Sequence, residues 1–132
     1  MQGIKSLRMK FKGAIIGYGF ISSHGHVPAY LERGRKTGDV EVVAVADICE
    51  ARPSLARVAL PHARIYKNHE ELLKQEANNL DFVDICTPPC DHAKIAHAAL
   101  DAGLHVLCEK PLTTTLDEAR DLLAHAKNSE RV

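Results

Sequence analysis

A short apolar run, Ala14-Ile15-Ile16, ends in Gly17-Tyr18-Gly19-Phe20-Ile21-Ser22, the G-x-G-x-x-G spacing with serine in the third place. Each small residue has a physical task. Gly17 lets a buried strand turn sharply, Gly19 leaves room for a pyrophosphate against the backbone, and Ser22 is small enough for the next helix to pack close to the strand. The helix start then directs free N–H groups and partial positive charge at phosphates. Gly17, Tyr18, Gly19, Phe20 and Ile21 are therefore candidate cofactor-binding positions. Glycine pairs occur in many loops, so the rest of the chain decides what this one means.

Three further segments carry chemistry. Asp47 closes the apolar run Glu41 to Ala46. An acid at that place in a dinucleotide-binding unit accepts hydrogen bonds from ribose hydroxyls and repels a 2′-phosphate, which favours NAD over NADP. It lies 28 positions after Gly19, further than the usual ~20. Arg52 nearby softens the discrimination, so NADP stays open. The bland reading of Asp47 is an acidic turn residue. Thr87-Pro88-Pro89 ends a second apolar run, and Glu109-Lys110-Pro111 ends a third. Cys86, Cys90 and His92 do not have a standard zinc spacing, and no metal site is expected. Cys49, Cys86, Cys90 and Cys108 read mainly as small hydrophobes in a reducing compartment. The eight histidines are scattered, and most are expected at the surface. A P-loop is excluded because no Gly-Lys-Ser/Thr follows the glycines. A methyltransferase would share the glycine loop and the acid but has no use for Glu109-Lys110-Pro111.

The elements that must position these groups alternate. Strands are expected at Phe11–Ile16, Glu41–Asp47, Arg64–Tyr66, Phe82–Cys86 and His105–Cys108. After the glycine loop, Gly25 and Pro28 predict a kink and a short helical piece over Val27–Arg33, with Gly34 and Gly38 bracketing a charged loop. A second helix starts near Pro53, runs through Leu55, Val58 and Ala59, and stops before Pro61. Asn68 with Glu71 opens a third helix anchored by Leu72 and Leu73, and Asp91 caps a fourth that Gly103 closes. Thr115 with Glu118 opens a fifth, its apolar face Leu116, Ala119, Leu122, Leu123 and Ala126. This alternation predicts an α/β fold of Rossmann type. Its parallel, doubly wound sheet has the order 3-2-1-4-5, helices cover both faces, and ligand binds at the strand carboxyl ends. All four chemical segments fall at those ends.

The chain has 132 residues, is 45% hydrophobic and carries 17 basic and 17 acidic side chains. That fits one ordinary domain over 11–132, with residues 1–10 as a disordered lead-in. A neutral balance gives no reason to expect nucleic acid as a partner. No apolar run approaches the ~20 residues of a membrane span, and residues 1–10 lack a signal-peptide core. The expected compartment is the cytoplasm.

Asp84-Ile85-Cys86-Thr87-Pro88-Pro89, then His92, then Ala99 through Leu112 with Gly103-Leu104-His105-Val106 leading into Glu109-Lys110-Pro111, resembles the glucose–fructose oxidoreductase / inositol dehydrogenase / rhizopine-catabolism (Gfo/Idh/MocA) family. The resemblance runs from about Phe11 onward. It implies NAD, or alternatively NADP, as cofactor, and hydride transfer to or from a carbon of a small-molecule sugar or cyclitol. It also implies that Lys110 is the catalytic residue beside nicotinamide and substrate, with Glu109 next to it, and that a cis Lys110–Pro111 bond is accessible. Thr87 and Pro88 would line the nicotinamide ribose and His92 would lie near the cofactor, or else simply begin its helix. The family often carries a histidine after the glycine loop. His24 and His26 compete for that register, and His26 fits better. Family members continue into a sixth strand and a second domain that supplies substrate contacts and an acid–base pair. This chain stops where that strand is due. The expectation is thus a nucleotide-binding half that binds weakly and turns over poorly alone. The alternative is a non-catalytic NAD(H) sensor that pairs with a second copy or another chain through its open sheet edge.

Overall fold

The computed structural model describes residues 9–132, so the expected lead-in falls mostly outside the described residues. Among those residues lie five strands: β1 (Phe11–Ile16), β2 (Val40–Ala46), β3 (Arg64–Tyr66), β4 (Phe82–Ile85) and β5 (His105–Cys108). They form one parallel sheet in the order β3-β2-β1-β4-β5. Side chains alternate across the sheet because the pleat has period two. Ala14 and Ile16 of β1 face one core cluster with Leu72, Ile95, Ala99 and Leu104. Ile15 faces the other, with Tyr18, Val27, Ala56 and Leu60. Gly13 pairs with Val42 but Ala14 pairs with Ala44, so Val43 is an extra residue in β2. Val43 and Ala44 consequently pack on the same face.

Right-handed crossovers put α1 (Val27–Thr37) and α2 (Arg52–Ala59) on one face. On the other lie α3 (His69–Glu76), α4 (Pro89–Asp101) and α5 (Leu116–Asn128). Two caps follow the expected chemistry. Asn68 Oδ1 accepts from Glu71 N–H at 2.8 Å, while the Glu71 carboxylate reaches back to Lys67 N–H. Thr115 and Glu118 form a reciprocal capping box.

Several local expectations are corrected. The chain does not break at Pro28, and helical structure runs through it to Thr37 rather than ending at Arg33. Ser22–His26 instead forms a π-turn whose last bond runs from Val27 N–H five residues back to the Ser22 carbonyl. This wider turn accommodates a residue with no N–H at the start of α1. Gly34 lies inside α1, which passes close to the Val40 carbonyl there, and the helix ends in a left-handed turn at Gly38. On α2, Ala59 packs against the core as expected, but Ala56 is the buried residue, while Leu55 and Val58 are exposed. On α5, Leu122 is buried, and Leu116 and Leu123 are exposed. Asp91 does not cap α4. Pro88 holds the cap position without a side-chain bond, because proline carries no side-chain acceptor, and Pro89 lacks only an N–H that would have no partner within the helix. Of the cysteines, Cys86 is buried and Cys108 half-buried, but Cys49 and Cys90 are exposed. No helix among the described residues is long and apolar enough to cross a membrane.

Candidate functional site

Gly17 stands at the carboxyl end of β1 with φ +93°, a conformation that L side chains rarely adopt. A Cβ there would also lie 2.8 Å from the Cys86 carbonyl carbon, so the turn is pressed against the end of β4. Gly19 differs: its nearest neighbour would be the Arg52 guanidinium at 3.7 Å. The position is uncrowded, in ordinary contact with one flexible side chain, as a phosphate cradle requires. Ser22 is fully buried, and its Oγ donates to the Gly19 carbonyl at 3.1 Å. The side chain of Tyr18 is buried in the core, Phe20 is exposed and stacks on His24, and Ile21 is partly exposed.

The Asp47 carboxylate is nearly buried and already engaged. Oδ2 accepts from Tyr18 N–H at 2.6 Å and from Arg52 at 3.2 Å, and Oδ1 accepts from Cys49 N–H at 2.7 Å. Sequence reasoning gave Asp47 to a ribose. The structure adds that it fastens the glycine loop to the end of β2. Asp47, Gly17, Thr87 and Pro88 line one cleft of about 280 Å³ that also reaches His69 and Lys94. Two residues that line this cleft each hold a buried polar atom with no partner among the described residues: Thr87 Oγ1 and His69 Nε2. Burial is the main force lowering the His69 pKa, with Lys94 assisting against Glu70 and Asp91, so the ring is a neutral polar group. His69 was not foreseen from the sequence, where it reads as one more helix-start histidine.

His92 is fully buried. Its Nδ1 lies 2.9 Å from the Pro111 carbonyl and its Nε2 lies 2.8 Å from the Thr87 carbonyl. It therefore ties together two segments that sequence reasoning placed at the site separately. Glu109 N–H bonds the Ile85 carbonyl at 3.0 Å, and the Lys110–Pro111 peptide is cis. Lys110 is exposed.

Beneath these segments is a cluster that motif reading passed over. Asp84, with no solvent exposure, sits in the middle of β4. Its Oδ2 receives His26 Nδ1 at 2.7 Å and the Tyr30 hydroxyl at 2.9 Å, and its Oδ1 receives Cys86 Sγ at 3.5 Å. The other ring nitrogen, His26 Nε2, lies 2.8 Å from Glu109 Oε1. Burial, then the charge of Asp84, pushes the Tyr30 hydroxyl and the Cys86 thiol upward, so both remain donors. Cys108 is pushed up to about 11 chiefly by burial. His26, Asp84 and Cys86 bring nitrogen, oxygen and sulfur within 4.8 Å, but these atoms are engaged with one another at hydrogen-bonding distances. The sequence clue was an acid inside an otherwise apolar strand, which demands buried partners.

A parallel sheet with an open glycine turn and an engaged acid at adjacent strand ends defines a dinucleotide-binding α/β domain. The chain belongs to the oxidoreductase family with an NAD-binding Rossmann fold, GFO_IDH_MocA, whose model matches residues 11–132. It is 36% identical over 115 residues to D-apiose dehydrogenase of Paraburkholderia graminis, a match covering 87% of this chain and 29% of that one. Among solved structures, the WlbA dehydrogenase from Bordetella pertussis, in complex with NADH and UDP-GlcNAcA, superposes with a TM-score of 0.84. That match has 25% identity and covers 92% of this chain and 36% of that one. Myo-inositol 2-dehydrogenase from Lactobacillus plantarum gives 0.80 at 27% identity, covering 91% of this chain and 34% of that one. The chain thus spans about a third of the length of these relatives. The residues present fit a dinucleotide. The uncrowded Gly19 suits the pyrophosphate, and Thr87 and His69 each hold a buried polar atom that has no partner among the described residues.

Proposed function

We propose that this chain is the nucleotide-binding half of an NAD(P)-dependent oxidoreductase that passes a hydride to or from a carbon of a sugar or cyclitol. The carrying observation is the convergence of Gly17, Asp47, Thr87 and Pro88 on one cleft. Of the loop residues Gly17, Tyr18, Gly19, Phe20 and Ile21, the last three meet the pyrophosphate through backbone N–H groups rather than side chains, while the Gly17 and Tyr18 N–H groups, bonded to the Ala46 carbonyl and the Asp47 carboxylate, fix the turn itself. Asp47 takes the adenosine ribose, and Thr87 and Pro88 line the second ribose. The bound nicotinamide supplies or takes the hydride. Lys110 is the catalytic residue: its ammonium hydrogen-bonds the substrate oxygen and shifts the proton as that oxygen changes between hydroxyl and carbonyl. Glu109 and His92 set the position of the turn that carries Lys110. The dehydrogenase names of the relatives support the sugar or cyclitol class.

Calorimetric titration with NAD and NADP, in the parent and in Asp47→Ala, tests this reading. The parent is expected to prefer NAD, and the variant to lose that preference. Equal affinity for both cofactors in the parent would remove the role given to Asp47. A second reading, a non-catalytic NAD(H)-binding module that pairs with a second copy or another chain, draws on the exposed apolar side chains beside β5. It predicts NAD(H) binding unchanged in Lys110→Ala together with a stable complex.

A further inference from the structure

The contacts of His26 are unusual for a surface-facing helix start. Both ring nitrogens face carboxylates, Asp84 at 2.7 Å and Glu109 at 2.8 Å. A neutral imidazole has one N–H and one lone pair, so it can satisfy only one of them. An imidazolium satisfies both. The second Glu109 oxygen accepts the backbone N–H of Lys110 at 3.0 Å. A continuous chain of hydrogen bonds thus runs from the buried Asp84 on β4, through His26 at the head of α1, to the amide of Lys110.

We propose that His26 is a positioning residue for the nicotinamide end of the site. As an imidazolium clamped between Asp84 and Glu109, it holds the Glu109-Lys110-Pro111 turn in register with the dinucleotide. The proposal rests on the dinucleotide reading above. The groups facing the ring are Asp84 from β4, Cys86 just after it, Tyr30 from α1 and Glu109 after β5, with Cys108 and Lys110 close to Glu109. Tyr30 and Cys86 are neutral donors, so two negative charges surround one positive one. Burial opposes the charge on His26, but the hydrogen bonds and charges of Asp84 and Glu109 outweigh it and raise the pKa. Glu109 is lowered in turn, first by His26 and then by the Lys110 amide, which puts the proton on the ring. Because the folded pKa is raised, the clamp is complete below the ordinary histidine value of ~6.5 and is lost as pH rises through the folded value.

The test uses the isotope-labelled 132-residue chain. Nitrogen NMR reads the protonation of the His26 ring, and the Lys110 amide shift reads the turn, both across a pH series. Calorimetry measures NADH and ADP-ribose affinity over the same series. Both ring nitrogens are expected to be protonated at neutral pH, and the Lys110 amide to move with the His26 midpoint. Above that midpoint NADH affinity should fall by about tenfold per pH unit, as for a ligand that binds one protonation state, until it reaches that of ADP-ribose, which stays level. In Glu109→Gln the amide should no longer follow the ring. A singly protonated ring at neutral pH, an amide indifferent to it, or ADP-ribose weakening in step with NADH would each overturn the proposal. If neither ligand bound at any pH while Lys110 still tracked His26, the positioning role would also be overturned, and the fault would lie in the dinucleotide reading rather than in the clamp.

Discussion

Gly17 and Gly19 are two positions apart and face opposite demands, which separates stability from binding. Gly17 has φ +93° and no space for a Cβ, so Gly17→Ala is expected to destabilise the fold by about 1–3 kcal/mol. Gly19 has space. Gly19→Ala should leave the urea midpoint within about 0.5 kcal/mol of the parent. Its methyl group would nevertheless stand where the phosphates approach, so NAD affinity should fall by about tenfold or more. A Gly19→Ala protein with parental affinity would show that the pyrophosphate passes elsewhere. Both glycines were legible in the sequence because their roles belong to the backbone. Asp84 was not, since its partners His26 and Tyr30, and Glu109 on the far side of His26, come from distant segments that only the fold brings together.

Among elements, the edge strand β3 is fastened to α3 by more than packing. Glu76, almost fully buried at the end of α3, accepts from the Arg64 guanidinium, from the Tyr66 hydroxyl and weakly from Asn79. The Arg64 hydrogen bonds do most to lower the Glu76 pKa, which falls to about 2 despite burial. A depressed folded pKa stabilises above the unfolded value of ~4.3, and the contribution fades as pH falls from there towards about 2. Glu76→Gln should cost about 1–3 kcal/mol at neutral pH, with the half-exposed Arg64 holding it to the lower part of that range. Urea titrations of parent and variant should converge as pH drops through that window. A constant gap would mean that the side chain acts by shape alone. Strand positions and order were readable here because a buried parallel strand is apolar on both faces. The faces of α2 and α5 were only partly readable, because a short amphipathic pattern does not say which of two adjacent apolar residues faces the sheet: Ala59 on α2 and Leu122 and Ala126 on α5 pack on the core as expected, but Ala56 is buried where Leu55 and Val58 are exposed, and Leu116 and Leu123 are exposed beside Leu122.

Across the whole molecule, burial is uneven. β1 and β2 are nearly sealed, whereas β5 is half-exposed along its length. Its outer edge meets the last residue of the chain: Val106 N–H bonds the Val132 carbonyl at 2.7 Å, and Val132 N–H bonds His105 Nδ1 at 3.1 Å. Around this edge Leu107, Leu112, Leu116, Leu123 and Val132 are exposed, above a groove floored by Ala96, Leu100, Val106 and Leu122. An edge strand beside an apolar surface of this kind is a site for association. The 132-residue chain is therefore expected to associate as its concentration rises, by sedimentation velocity. Leu116 and Leu123, at 63% and 55% exposure, contribute little to the core. The double variant Leu116→Lys, Leu123→Lys should keep its urea midpoint within about 0.5 kcal/mol for each change while association is abolished. NAD affinity should be unchanged, because the dinucleotide cleft is lined from β1, β2, the start of α3 and the head of α4, with nothing from β5 or α5. A large loss of stability would place the two leucines in the core after all, and persistent association would move the contact to another face, where exposed Leu55 and Val58 of α2 are the next apolar pair.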